Sequence, residues 1–174
     1  MIGKTKIVLD ADVIIHFMQG DALSLLINIF PEYTYIILDV VYGELTKNSA
    51  TKVQLDNTLN LFNAKFSKVT FTPTGQSRQE YANLITTLGR GESACMVYCR
   101  DNQDVLGSSN LRDIRRYCED NGITYLTTVD FLYYAFIRHK MTAEKIKEFI
   151  MQVKSKGSIL PDIEIETYLP TCQL

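Results

Sequence analysis

Three consecutive apolar residues, Ile7-Val8-Leu9, run straight into a carboxylate at Asp10, and a second acid follows at Asp12 before Val13-Ile14-Ile15. A short apolar run of this kind reads as a strand buried on both faces, which is the condition of strands in a parallel sheet. Such a sheet needs helices on both sides, and its ligands bind just outside the carboxyl ends of the strands. An acid delivered to that edge is costly unless it is paired, hydrogen-bonded or holding a cation. The first strand thus predicts both an architecture and a place for function.

The rest of the chain continues the alternation of strand-like and helix-like segments expected of parallel strands joined by helical crossovers. Asp21–Phe30 reads as a helix stopped by Pro31, Tyr33–Leu38 as a strand ending at Asp39, and Val40–Leu45 as the start of a helix. Apolar residues at helical spacing predict a helix over Thr51–Phe66, followed by a brief strand at Val69–Phe71 and a helix over Ser77–Leu88. After the interruption Gly89-Arg90-Gly91, Glu92–Arg100 restarts as an apolar helix. Asp104–Gly107 is a short buried strand, Asn110–Asn121 a helix closed by Gly122, Ile123–Leu126 the last core strand, and Val129–Arg138 its helix. Thr142 caps a final helix to about Lys156. Gly157–Leu174 reads either as a docked tail or as an added edge strand.

With 174 residues, the chain suits one domain, divided here into 1–140 and a helix and tail, 141–174, packed on the same body. Apolar residues make up 46% and charged residues 22%, the balance of an ordinary globular protein. No apolar run is long enough to span a membrane, and Met1-Ile2-Gly3-Lys4-Thr5-Lys6 lacks the apolar core of a secretory signal. Cys95, Cys99, Cys118 and Cys172 form no C-x-x-C pair, and His16 and His139 are the only histidines, which disfavours a zinc site. Reduced, structural cysteines and a cytoplasmic location are expected. A net charge of −2 gives no global basic field for nucleic acid, so any steering rests on local patches.

Acids recur at the ends of strands and the starts of helices: Asp10 and Asp12, Glu44, and Glu92. Ser108-Ser109-Asn110, with Asp113 a turn further on, follows the fourth strand. Right-handed crossovers can bring these segments to one edge, where the carboxylates repel one another and call for a compensating cation. All-oxygen ligands suit Mg²⁺ or Mn²⁺, which can activate water and steady the charge of a phosphoryl displacement.

Asp10 after Ile7-Val8-Leu9, Glu44 in Val41-Tyr42-Gly43-Glu44-Leu45, and Glu92 in Gly89-Arg90-Gly91-Glu92-Ser93-Ala94 resemble the motifs of PIN domains. Val105 to Arg116, ending in Asn121-Gly122-Ile123, resembles the family's fourth strand and following helix. The resemblance runs in order from about Lys6 to Lys140. It implies a three-layer α/β/α fold with a central, mostly parallel sheet of four to five strands, and a divalent-metal-dependent ribonuclease. On that reading Asp10 and Glu92 hold the principal Mg²⁺ or Mn²⁺, Glu44 is the third carboxylate, and Asn110 or Ser109 orients water or phosphate. Asp12, Ser109 and Asp113 are candidates for supporting roles, and Arg112, Arg115 and Arg116 for contacts with RNA phosphates. The resemblance also implies an antitoxin protein as partner, since many single-domain members are toxins of toxin–antitoxin pairs (VapC-like), and a homodimer. One departure stands out: where the family often has an aspartate after the fourth strand, this chain has Ser109-Asn110.

Each residue also has a plainer reading. Asp10 or Asn110 can cap a helix, Glu92 can favour a helix dipole, Asp113 can pair with Arg112 or Arg116, and the arginines can form a solvated face. Two other functions fit parts of the pattern. Asp10-Ala11-Asp12-Val13 resembles the first motif of haloacid dehalogenase-like phosphatases, with Asp10 as nucleophile and Asp12 as acid/base, but their later acid pair is missing. A PIN-like scaffold that binds RNA or protein without cutting is the non-enzymatic alternative.

Overall fold

The structure, a computed structural model, describes residues 5–174; the reading of the amino terminus as free of a signal falls mostly outside them. Its elements run β1 (Lys6–Leu9), α1 (Ala11–Gln19), α2 (Leu23–Ile29), β2 (Thr34–Leu38), α3 (Asp39–Leu45), α4 (Ser49–Leu61) and β3 (Phe66–Val69). They continue as α5 (Gly75–Leu84), α6 (Arg90–Asn102), β4 (Val105–Gly107), α7 (Leu111–Asn121), β5 (Tyr125–Leu126), α8 (Thr128–Ile137) and α9 (Ala143–Ser155). The five strands form one sheet in the order β3-β2-β1-β4-β5, and every pairing is parallel. The expectation of a central sheet flanked by helices holds, with the sheet wholly parallel.

The order has a direct consequence for function. From β1 the chain moves outward to β2 and β3; from β4 it moves the other way to β5. Right-handed connections load the helices of the two halves onto opposite faces, so a crevice opens between the carboxyl ends of β1 and β4. Leu9 is the register partner of Gly107, and the Asp10 amide donates to the Gly107 carbonyl at 2.9 Å. Asp10 and the Ser108-Ser109-Asn110 loop therefore stand side by side where the strand order reverses.

The strands are buried because their residues are: Ile7, Val8, Leu9, Ile37 and Leu38 are fully enclosed. Aromatic packing joins the later helices to the first. Phe17 of α1 meets Phe131 of α8 edge-on at 6.2 Å and Phe149 of α9 at 5.1 Å. The tail adds no strand among the described residues. It makes a single 3-10 turn, Ile165–Thr167, and then docks on α8. There Asp130 accepts hydrogen bonds from the Tyr168 hydroxyl (2.9 Å) and the Thr171 amide (2.7 Å).

Several boundaries differ from expectation, and the helix expected over Ser77–Leu88 spans Gly75–Leu84. The helix predicted over Thr51–Phe66 stops at Leu61, and β3 takes Phe66–Val69 instead of Val69–Phe71. Phe62 and Phe66 fit helical spacing, but Phe66 is needed as the buried residue of an edge strand paired with Tyr35. Among the described residues, no helix is long and apolar enough to cross a membrane.

Candidate functional site

Asp10 ends β1 and caps α1. It is only 6% exposed, and its Oδ1 accepts from the Ala11 amide at 2.8 Å. The capping role and the edge position coincide. Burial, then the charge of Asp12, and further Glu92 and Glu44, push its carboxyl up to about 8.

Asp12 lies in the first turn of α1. Its Oδ1 accepts from the Val13 amide (2.6 Å), and its Oδ2 from the Ser109 amide (2.8 Å) and more distantly from the Ser108 hydroxyl (3.5 Å). Burial raises its carboxyl above the usual range while those donors pull it back. Asp12 thus reaches across the crevice to the loop that lacks an acid.

Glu44, on α3, is held by α6: its Oε1 accepts from the Gly91 amide at 3.0 Å. A Cβ on residue 91 would lie 2.6 Å from Glu44 Oε2 and 3.1 Å from Val41 Cγ2, so a larger residue would have to push the Glu44 carboxylate aside. Glu92, one residue on, is half-buried near the start of α6, and its carboxyl is pushed up to about 7. Burial is the main cause, followed by Asp113, with Asp12 and Glu44 contributing and an Asn110 hydrogen bond opposing.

Asn110 is exposed and precedes α7 without capping it through its side chain. Its Nδ2 donates to Asp113 Oδ2 at 2.8 Å. Asp113 therefore pairs with Asn110, within the field of Glu92, and not with Arg112 or Arg116. Arg116 reaches Asp120 at 3.7 Å, with both side chains largely exposed, so the contact adds little to stability. Arg112, Arg115 and Arg116 all stand exposed on α7.

The structure brings Asp10, Asp12, Glu44, Glu92 and Asp113 into one shared field at the β1–β4 crevice, with Asn110 hydrogen-bonded among them. As they stand, no three histidine, cysteine or acidic side chains form a closed metal cage among the described residues. Their chemistry nevertheless suits a hard divalent ion: all are oxygen donors, and the burial and like charge that push the Asp10 and Glu92 carboxyls up are what a cation would relieve. The buried Cys95, Cys99 and Cys118 and the half-buried Cys172 are unpaired thiols.

Two residues near the crevice escaped sequence reasoning. His16 is buried on α1, and its Nδ1 lies 2.8 Å from Thr128 Oγ1; Thr128 in turn contacts Ser109. The i, i+4 spacing of Asp12 and His16 was the available signal, since it puts both on one helix face. Nothing local in Thr128 betrays its partner 19 residues away.

A family model described as a PIN domain matches residues 6–173. In structure, the chain is similar to VapBC2 from Rickettsia felis, solved bound to a DNA fragment from its promoter. The TM-score is 0.53 at 15% identity, covering 71% of this chain and 98% of that one. It is likewise similar to VapBC-1 from nontypeable Haemophilus influenzae, with a TM-score of 0.51, 15% identity and the same two coverages, 71% and 98%. No curated protein matches the chain in sequence.

Proposed function

The chain belongs to the PIN-domain family, whose members are generally nucleases, and from that premise we propose that it is a divalent-metal-dependent endoribonuclease and the toxin of a toxin–antitoxin pair. The observation that carries the metal reading is Asp10 itself. It is a buried carboxylate at the strand-order reversal, with a single hydrogen-bond donor among the described residues and its carboxyl pushed up to about 8. A structural acid in that position would be expected to fill its remaining lone pairs with donors.

Asp10 and Glu92 would hold Mg²⁺ or Mn²⁺, with Glu44 as the third carboxylate. When bound, the ion would activate a water and offset charge building on the phosphate. The chain's own residues do the rest. The Gly91 amide fixes Glu44, Asn110 steers Glu92 and Asp113, and Arg112, Arg115 and Arg116 supply positive charge on the helix that begins beside the acids. The Ser109 hydroxyl is committed to Thr128, which leaves Asn110 as the neutral group able to face substrate. The antitoxin partner is supported by the VapBC assemblies among the structural neighbours. The family assignment sets aside the dehalogenase-like phosphatase using Asp10 and Asp12.

The test is cleavage of a labelled mixed RNA pool with Mn²⁺, with EDTA, and with Asp10→Asn protein, alongside DNA and a phosphatase substrate. RNA cutting that needs the ion and falls at least about 100-fold in the variant is expected. Absence of both cutting and Mn²⁺ binding would overturn the reading and leave a PIN-fold scaffold.

A further inference from the structure

Four side chains close a circuit behind the acids. Asp12 Oδ2 accepts the Ser109 amide at 2.8 Å. Ser109 Oγ donates to Thr128 Oγ1 at 2.8 Å and accepts the Thr128 amide, also at 2.8 Å. Thr128 Oγ1 meets His16 Nδ1 at 2.8 Å. His16 lies one turn beyond Asp12 on α1, so the helix backbone completes the ring.

Ser109 gives its proton to Thr128, and which of Thr128 Oγ1 and His16 Nδ1 donates to the other follows the imidazole tautomer. Burial disfavours the charged imidazole. Thr128 is fully buried at the head of α8, which is itself anchored by the Thr127–Asp130 capping box.

The loop after β4 has no carboxylate of its own, so it must present neutral atoms whose orientation depends on hydrogen bonds alone. We propose that Thr128 is a positioning residue: through Ser109 it holds this loop against Asp12, and so sets where Asp12 and Asn110 stand relative to Asp10 and Glu92. The proposal rests on the nuclease reading of the crevice.

Thr128→Val removes the hydroxyl at nearly constant volume, and Thr128→Ser keeps it. Three readouts are compared with the unaltered protein: hydrogen exchange at the Ser109 amide, Mn²⁺ affinity without substrate, and kcat and KM on RNA. In Thr128→Val, with far-UV circular dichroism unchanged, Ser109 exchange should accelerate. Mn²⁺ affinity should fall about 10–100-fold, and kcat should drop with KM held. Thr128→Ser should restore all three. Should Thr128→Val fail to fold, Ser109→Ala cuts the same link from the loop side and is read instead. Unchanged exchange and unchanged Mn²⁺ affinity overturn the proposal. If the unaltered protein binds no Mn²⁺, the nuclease reading falls, and Ser109 exchange still decides the ring.

Discussion

Two buried aspartates stand at the heads of two helices, and they live in opposite surroundings. Asp130, at the start of α8, is fully buried and accepts four hydrogen bonds. Thr127 gives its amide (2.7 Å) and hydroxyl (2.8 Å) to Oδ2, while the Tyr168 hydroxyl (2.9 Å) and Thr171 amide (2.7 Å) go to Oδ1. Asp10, at the start of α1, is nearly as buried but has one donor among the described residues, the Ala11 amide, and three acids around it. Burial alone therefore does not distinguish a functional carboxylate from a structural one. Unfilled acceptor capacity separates them: Asp130 ties the tail to the body, and on the proposed reading Asp10 is the one open to a cation.

The comparison breaks most visibly in stability. Asp130→Ala should cost about 3–4 kcal/mol, because it strands several buried donors and releases the tail. A urea melt showing a loss below about 1 kcal/mol would remove Asp130 from its structural role. Asp10→Asn should have the opposite sign in EDTA, stabilising the protein by about 1–2 kcal/mol at pH 8 by relieving burial of a charge among like charges.

A pH series sharpens the same point. Asp10 is raised to about 8 and Glu92 to about 7, so the folded state favours their protonated forms. Their contribution to stability is fully present below about pH 4, the unfolded range, and is lost as pH climbs through those values. The metal-free protein should therefore melt at lower temperature at pH 8.5 than at pH 6, and Asp10→Asn should flatten that slope. Added Mn²⁺ should raise the melting temperature more at the higher pH, since binding displaces protons. An equal Mn²⁺ shift at both values would contradict the shared-cation account. The smallest effect is expected of Gly91→Ala, about 1 kcal/mol, as Glu44 gives way to the new methyl group. Its more telling readout is weaker Mn²⁺ binding.

Apolar runs ending in acids were enough to anticipate the parallel sheet and the edge where Asp10, Glu44 and Glu92 gather, because burial on both faces leaves a continuous signature in Ile7-Val8-Leu9 and Tyr35–Leu38. The edge strand was harder. Only one side of β3 is covered, so Phe62 and Phe66 looked equally helical. In sequence Gly91 reads as part of a breaker, but its missing side chain leaves the space that the Glu44 carboxylate occupies. Thr128 and the tail contacts of Asp130 have no local signature because those partners lie 19 to 112 residues away in the chain, whereas the Thr127–Asp130 capping box is a local pattern.

The crevice walls, β1 and β4, are themselves almost a hundred residues apart: the Lys6 amide donates to Asp104 Oδ1 across 98 positions. On the ribosome, β1, β2 and β3 emerge early with Asp10 and Glu44, while Glu92 and the Asp12-binding loop follow much later. The tail that locks Asp130 follows later still. On the proposed nuclease reading this order is a timer: Asp10 and Glu44 must wait for Glu92 and the loop after β4 before the acids can meet.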